Sequence, residues 1–192
     1  AVAEKGAEQE RQELEDMLPI DLLEIEVGYE LVGMVDASRD GSLLRRIGGI
    51  RKQLAQELGI LLPPIHLRDN LRLKPSEYRI LLSGNEIGRA ETRPGKLLAM
   101  NPAGRVDAVA GEDTTEPAFG LPARWITNAD RELAEINGYT VVDAASVVAT
   151  HLGEMLNKHA HNLLGRKEAQ ELIDLHARTN SKVIEELIPN EM

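Results

Sequence analysis

The alternation of apolar and polar positions divides the chain into short strand-like runs and longer helical stripes. Residues 1–18 are mostly Ala, Glu and Gln with almost no apolar face, so they predict a solvated helix or tether rather than part of a core. Pro19 marks the boundary to the folded part. Leu22–Val27 (LLEIEV) and Glu30–Asp36 (ELVGMVD) predict two short strands separated by Gly28-Tyr29. Asp40-Gly41-Ser42 then opens a helix. In it Leu43, Ile47, Ile50, Leu54 and Leu58 recur at steps of three or four, and Gly59 supplies the stop. Pro63-Pro64 precedes a strand at Ile65–Arg68, and Asp69–Pro75 is a turn-rich connection. Tyr78–Ser83 and Glu86–Arg93 predict a hairpin across Gly84-Asn85.

Pro94-Gly95 is the next break. Lys96–Met100 reads as a short strand, Asn101–Gly111 as a loop and Ala123–Ile126 as a strand. Thr127-x-x-Asp130 has the form of a capping box and starts a short helix through Ile136, closed by Gly138. With a strand at Tyr139–Val142, residues 95–143 have the content of a small strand–helix–strand insert. Asp143 caps a long helix ending at Gly165, with Val147, Val148, Leu152, Met155, Leu156 and Leu163 along its apolar face. Thr150 falls off that stripe, beside Glu154 and Asn157. Glu168–Ala177 and Ser181–Leu187 predict two further helices, stopped by Pro189, where the chain reads as a domain cut short. This order of elements is that of an α/β or α+β sheet protein.

Composition narrows the function classes. The 192 residues are 42% hydrophobic and 28% charged, enough for a core, and the formal net charge is −10. Such a balance argues against nucleic acid and against an anionic membrane surface as direct partners. There is no Cys, hence no disulfide, thiolate metal site or thiol nucleophile, and a reducing cytosol fits. No stretch approaches 18 apolar residues, the start has no signal-peptide core, and the chain opens without Met, as a fragment would.

The only Phe and the only Trp, Phe119 and Trp125, fall within Gly111–Ile126 (GEDTTEPAFGLPARWI). Pro117 and Pro122 stiffen the loop around Phe119. Spacing leaves two readings open: a rigid recognition anchor, or a Phe that plugs the core from a loop. Arg45, Arg46, Arg51 and Lys52 share one side of their helix, as a docking patch or a solvated face. Catalytic constellations are absent. Gly28-x₄-Gly33 lacks the Lys and Ser/Thr of a phosphate loop. His159 and His161, at i and i+2 on a helix, point apart, and His151 with Glu154 makes at most a two-ligand site. Ser38, Ser42, Ser83 and Ser146 sit in no nucleophile elbow. The residues thus read as a non-catalytic, acidic, two-part α/β protein with one rigid aromatic loop and no metal or other cofactor.

Several strings resemble a known family. EVGYELVGMVD (26–36), IRKQLAQELG (50–59), HLRDN (66–70), YRILLSGNEIGRAE (78–91), EPAFGLPARWI (116–126), GYTVVDAASVVATHL (138–152) and LGRKEAQELID (164–174) are similar, in order, to the cytoplasmic domain of the flagellar and type III secretion export-gate (FlhA-like, FHIPEP) family, and closer to its flagellar members. The resemblance implies a linker at 1–18 and an α/β first subdomain at 19–94 plus 144–163. A small ferredoxin-like second subdomain is inserted at 95–143, and a helical third begins at 164–192. The parent protein would be an integral membrane protein of the bacterial inner membrane, with this part on the cytoplasmic side and held only through an N-terminal membrane part missing here.

The resemblance also implies a protein-transport function, the docking of export chaperone–cargo complexes in a groove between the first two subdomains. The family's groove motif falls on Glu116, Phe119 and Thr150, with Val142 and Val147 nearby. Family members often have Asp where this chain has Glu116, which then reaches the rim with a longer arm. Other implied partners are further export-apparatus proteins and, at full length, neighbouring subunits of a homo-oligomeric ring; this stretch alone is expected to be a monomer. The alternatives are a structural ring element without cargo contact and an enzyme using the inter-subdomain cleft. Pro94-Gly95 and the Asp143 junction are the expected hinges, and Trp125 is expected to pack the insert beneath the Phe119 loop.

Overall fold

A computed structural model describes residues 22–36, 41–59, 62, 64–101, 109–163, 169–170, 173–174 and 182. The expected linker, 1–18, lies outside these residues, as do almost all of the helices expected at 168–177 and 181–187.

Two four-stranded sheets organise the described residues. The first contains β1 (Leu23–Val27), β2 (Ile65–Asp69), β3 (Glu77–Leu82) and β4 (Asn85–Glu91) in the order β2-β1-β3-β4. Between β1 and β2 lie a 3₁₀ turn at Tyr29–Leu31, the single-turn helix α1 (Val32–Val35) and the long helix α2 (Ser42–Leu58). That crossover makes β1 and β2 parallel, whereas β1–β3 and β3–β4 are antiparallel. The period of two sends Leu23, Ile25 and Val27 to one face of β1 and Glu24 and Glu26 to the other. The apolar face packs against Leu43, Ile47 and Leu54 of α2. On the opposite face Glu24–Arg68 (3.0 Å), Glu26–Arg79 (2.6 Å) and Glu77–Arg89 (2.8 Å) pair carboxylates with guanidiniums.

The second sheet contains β5 (Leu97–Met100), β6 (Glu112–Thr115), β7 (Pro122–Ile126) and β8 (Thr140–Asp143), ordered β6-β7-β5-β8 with every adjacent pair antiparallel. Leu97, which opens β5, lies directly opposite Asp143, which ends β8. The helix α3 (Arg131–Ile136), entered by a 3₁₀ turn at Asn128–Asp130, joins β7 to β8. A ferredoxin-like unit has two helices; α3 is the one found among the described residues, which exclude 102–108 between β5 and β6.

The helix α4 (Ala144–Lys158) follows β8 at once. Asp143 caps it as expected, its carboxylate accepting from the Ser146 amide at 2.8 Å. Neighbouring residues of α4 face different sheets. Val148, Leu152 and Leu156 complete the first core, while Val147 packs with Leu98, Ala123 and Trp125 of the second sheet. α4 is therefore a wall shared by both.

Five local expectations need correction. Glu30–Asp36 is not a strand: both edges of β1 are taken by β2 and β3, so the segment winds into turns that bury Leu31 and Met34 at i,i+3. Glu112–Thr115 is not loop but the edge strand β6, whose acids pair with Arg124, Arg93 and Lys96. Thr127 and Asp130 bond side chain to side chain at 2.6 Å, and neither caps a backbone amide. The long helix ends at Lys158, and a separate turn, α5 (Ala160–Leu163), returns Leu163 to the core; Gly165 lies outside the described residues.

The last correction is the β3–β4 turn, which is Ser83-Gly84, one residue earlier than expected. Both residues have positive φ, 49° and 76°, as the right-handed strand twist requires of a two-residue hairpin loop. Ser is a poor left-handed residue and Asn a good one. Ser83→Asn is expected to raise stability by about 0.5–1 kcal/mol, read from the denaturation midpoint; a lowered midpoint would contradict the turn assignment.

A hairpin tip and a helix face form the candidate functional site

Phe119 stands at the tip of the β6–β7 hairpin, and local hydrogen bonds fix that tip. The Glu116 amide donates to the Leu121 carbonyl at 2.8 Å, and the Gly120 amide donates to the Glu116 carbonyl at 2.9 Å. Gly120 takes φ 69°, a conformation glycine adopts without penalty. The Glu116 side chain folds under the tip, where its two carboxylate oxygens accept the Ala118 and Phe119 amides, each at 2.8 Å. Ala118 is buried beneath, and the Phe119 ring is left 62% exposed. Of the two readings of this Phe, the core plug is excluded.

Glu116 itself is only 3% exposed. A carboxylate with two backbone donors and almost no contact with water is not an acid presented at a rim, which corrects that expectation. Instead it acts as a side-chain cap, with Pro117 in the first position after it, where a missing amide costs nothing. Sequence reasoning missed this role, because an acid followed by Pro and two further amides has the same letters whether it turns to its own backbone or to solvent.

The other expected residues lie where the hairpin meets α4. Val147 is buried, and half-buried Val142 packs on the same cluster as Trp125, Leu98 and Ala123. Val147 has almost no exposed surface, whereas Val142 keeps part of its own. Thr150 is exposed, one turn beyond Val147 on α4. Its neighbour His151 is 4% exposed, and its Nδ1 lies 2.9 Å from the hydroxyl of Tyr78 on β3. The Glu116 carboxylate bears on the ionisation of both of these rings. Burial, together with that carboxylate, pushes the Tyr78 phenol far above its ordinary range. Burial also pulls the His151 imidazole below its ordinary value, opposed by the attraction of Glu116. Sequence reasoning missed the Tyr78–His151 contact, which joins residues 73 apart.

A separate cleft of about 610 Å³ opens between α2 and the two chain crossings, lined in part by Arg45, Arg46, Lys96, Leu97 and Asp143. It includes none of Glu116, Phe119, Val142, Val147 or Thr150. Arg46 and Arg51 of the expected basic patch are tied to the fold. Arg46 pairs with Asp143, and Arg51 donates to the Leu62 carbonyl at 2.8 Å. Among the described residues no cluster of three His, Cys, Asp or Glu is placed to hold a metal ion, and no helix is long and apolar enough to cross a membrane.

The FHIPEP family model matches residues 1–192. The chain belongs to the FHIPEP family. It is 52% identical over 169 residues to the flagellar biosynthesis protein FlhA of Escherichia coli K12, covering 88% of this chain and 24% of that protein. Against the Proteus mirabilis FlhA it is 51% identical over 176 residues, 92% of this chain and 25% of the relative. Bacillus subtilis FlhA is 47% identical over 174 residues, with coverages of 91% and 26%. The chain thus spans about a quarter of the length of the curated relatives it matches.

Solved structures share the α+β fold at lower identity. The Chlamydia pneumoniae CdsV protein superposes with a TM-score of 0.72 at 22% identity, covering 88% of this chain and 52% of that one. The nonameric SctV-C of EPEC gives 0.61 at 15%, with coverages of 88% and 49%. A cytoplasmic domain of Salmonella InvA gives 0.55 at 14%, with coverages of 89% and 99%. The sequence relatives are named as flagellar biosynthesis proteins.

Proposed function

We propose that this FHIPEP chain is a docking platform on the cytoplasmic side of a flagellar type III export gate, and that it receives export chaperone–cargo complexes where the Phe119 hairpin meets α4. One observation carries the reading: the only Phe of the chain is 62% exposed on a tip held rigid by backbone and side-chain hydrogen bonds. An exposed aromatic on a preorganised loop supplies binding area without an ordering cost. In this reading Phe119 is the anchor, Thr150 offers a hydroxyl and a methyl from α4, and Glu116 sets the position of the anchor without touching the partner. Val142, Val147 and Trp125 support the surface from below. The subdomain division at 95 and 143 belongs to the same proposal, with the inserted second sheet carrying the hairpin and α4 shared between the two. The family's association with flagellar biosynthesis supports the partner class.

The test is the affinity of the chain for a flagellar chaperone–cargo complex. Phe119→Ala is expected to weaken binding by more than about 1 kcal/mol, roughly fivefold. A binding isotherm identical to wild type, with an unchanged circular dichroism spectrum and melting curve, removes Phe119 from the site.

A further inference from the structure

We propose that Arg93 and Glu112 form an electrostatic clasp that fixes the second sheet, and with it the Phe119 hairpin, against the first sheet at the β4–β5 crossing. That crossing is one tight turn. Thr92, which follows β4, is fully buried and donates its amide to the Ser76 carbonyl at 2.9 Å. Arg93-Pro94-Gly95-Lys96 then reverses the chain, the Lys96 amide donating to the Arg93 carbonyl at 3.1 Å. Proline in the second position and glycine in the third, here with φ 79°, are the residues a type II turn favours. Its two corner residues belong to different sheets, since Arg93 comes just after β4 and Lys96 just before β5.

Both corner side chains grip one carboxylate. Arg93 Nη2 lies 3.1 Å from Oε1 of Glu112, and Lys96 Nζ lies 3.5 Å from its Oε2. The other arm of the guanidinium returns to the first sheet: Nη1 donates to Ser76 Oγ at 2.9 Å and lies 3.3 Å from Oε2 of Glu91 on β4. Glu112 opens β6, the strand that leads into the Phe119 tip, and pairs across the sheet with Trp125. One planar, forked cation therefore touches β4, the loop before β3 and the edge strand of the second sheet. A lysine at this position has a single point charge and cannot serve the same set of acceptors. An isolated exposed ion pair contributes little, because ordering two long side chains offsets the attraction. Here the closed turn and the β6–β7 pairing do much of that ordering beforehand. At the other crossing Arg46 of α2 pairs with Asp143, so releasing the Arg93 clasp leaves that pair as a pivot. The clasp acts on the angle between the sheets, not on the fold of either, and is independent of what the site binds.

The experiment measures the distance between two spin labels by pulsed dipolar spectroscopy on the 192-residue chain. The chain has no Cys, so Leu71→Cys in the turn after β2 and Ile136→Cys at the end of α3, positions 81% and 83% exposed, define the two labels uniquely. At low salt the otherwise unaltered chain is expected to give one narrow distance peak. Arg93→Gln and Glu112→Gln should each raise the population outside that peak about fivefold, equivalent to about 1 kcal/mol, and the double variant should go no further. Arg93→Lys, which keeps the charge but not the fork, should fall between. About 1 M salt should move the parent chain toward the Arg93→Gln distribution and leave Arg93→Gln itself unchanged. Arg68→Gln, which removes the 3.0 Å pair with Glu24 inside the first sheet, should keep the parent distribution. Three results would overturn the proposal: an Arg93→Gln distribution that matches the parent, additive effects of the two single substitutions, or equal broadening in Arg68→Gln. Circular dichroism checks the fold of each variant. If Arg93→Gln does not fold, Glu112→Gln and the salt series on the parent chain still decide the question.

Discussion

Trp125→Ala is expected to cost about 3–5 kcal/mol of stability, the range for truncating a buried large aromatic. Trp125 is 4% exposed near the end of β7, paired through the backbone with Leu98 of β5 on one side and Glu112 of β6 on the other. Its ring fills the space between the second sheet and Val147 of α4, with Met100 and Val142 at the margin. Ala leaves a cavity where the hairpin is rooted, lined by Leu98, Ala123 and Val147. The measurement is a denaturant titration followed by circular dichroism, since the substitution removes the only Trp. The midpoint should fall, and Trp125→Phe should recover part of the loss. A shift of less than about 1 kcal/mol would show that the cluster closes without the indole.

Gly28→Ala should lower stability by about 3 kcal/mol, the upper end for overpacking. Backbone conformation is not the cause, because Gly28 sits in ordinary extended space at φ −67° and ψ 163°. The cause is the turn after β2. A Cβ at Gly28 would lie 2.1 Å from the Lys74 carbonyl oxygen and 2.5 Å from that of Pro75. Backbone hydrogen bonds from Gly28 to Glu77 (2.8 Å) and from Glu30 to Pro75 (3.0 Å) hold the two segments together, so neither can retreat cheaply. For a chain of this size the melting temperature would drop by roughly 6–12 °C. Gly33, with nothing within 4 Å of its Cβ position, is the control, and Gly33→Ala should be neutral or slightly stabilising. Equal effects at the two glycines would contradict the close approach. The pair that resembles a broken phosphate loop thus contains one packing glycine and one ordinary helical one.

Where side-chain pattern is dictated by burial, the fold could be read in advance. The stripe Leu43, Ile47, Ile50, Leu54 predicts α2 down to its Gly59 stop, which takes φ 69°. Asp143 as the cap of α4 is equally plain. The errors came where burial does not write the pattern. β6 is an edge strand whose acids face water and basic partners, so it has no apolar alternation to detect. Val32–Val35 has strand-like residues, but whether a strand forms depends on a free sheet edge, which is a tertiary fact. In the site, the two prolines and the isolated Phe pointed to the hairpin tip. An acid turned inward to its own amides has the same letters as one turned outward, so the role of Glu116 was hidden. The Tyr78–His151 contact joins residues distant in sequence, and no local pattern announces it.

The pairing of Leu97 with Asp143 bears on how the chain assembles. The first core is incomplete without α4, yet about fifty residues separate β4 from that helix. Once β5 and β8 are paired, the chain leaves and re-enters the second sheet at adjacent positions, and the effective loop shrinks to a handful of residues. On the logarithmic cost of loop closure this saves roughly 2 kcal/mol of chain entropy when α4 docks. The second sheet therefore serves as an entropic clasp: forming it early brings the two halves of the first core together.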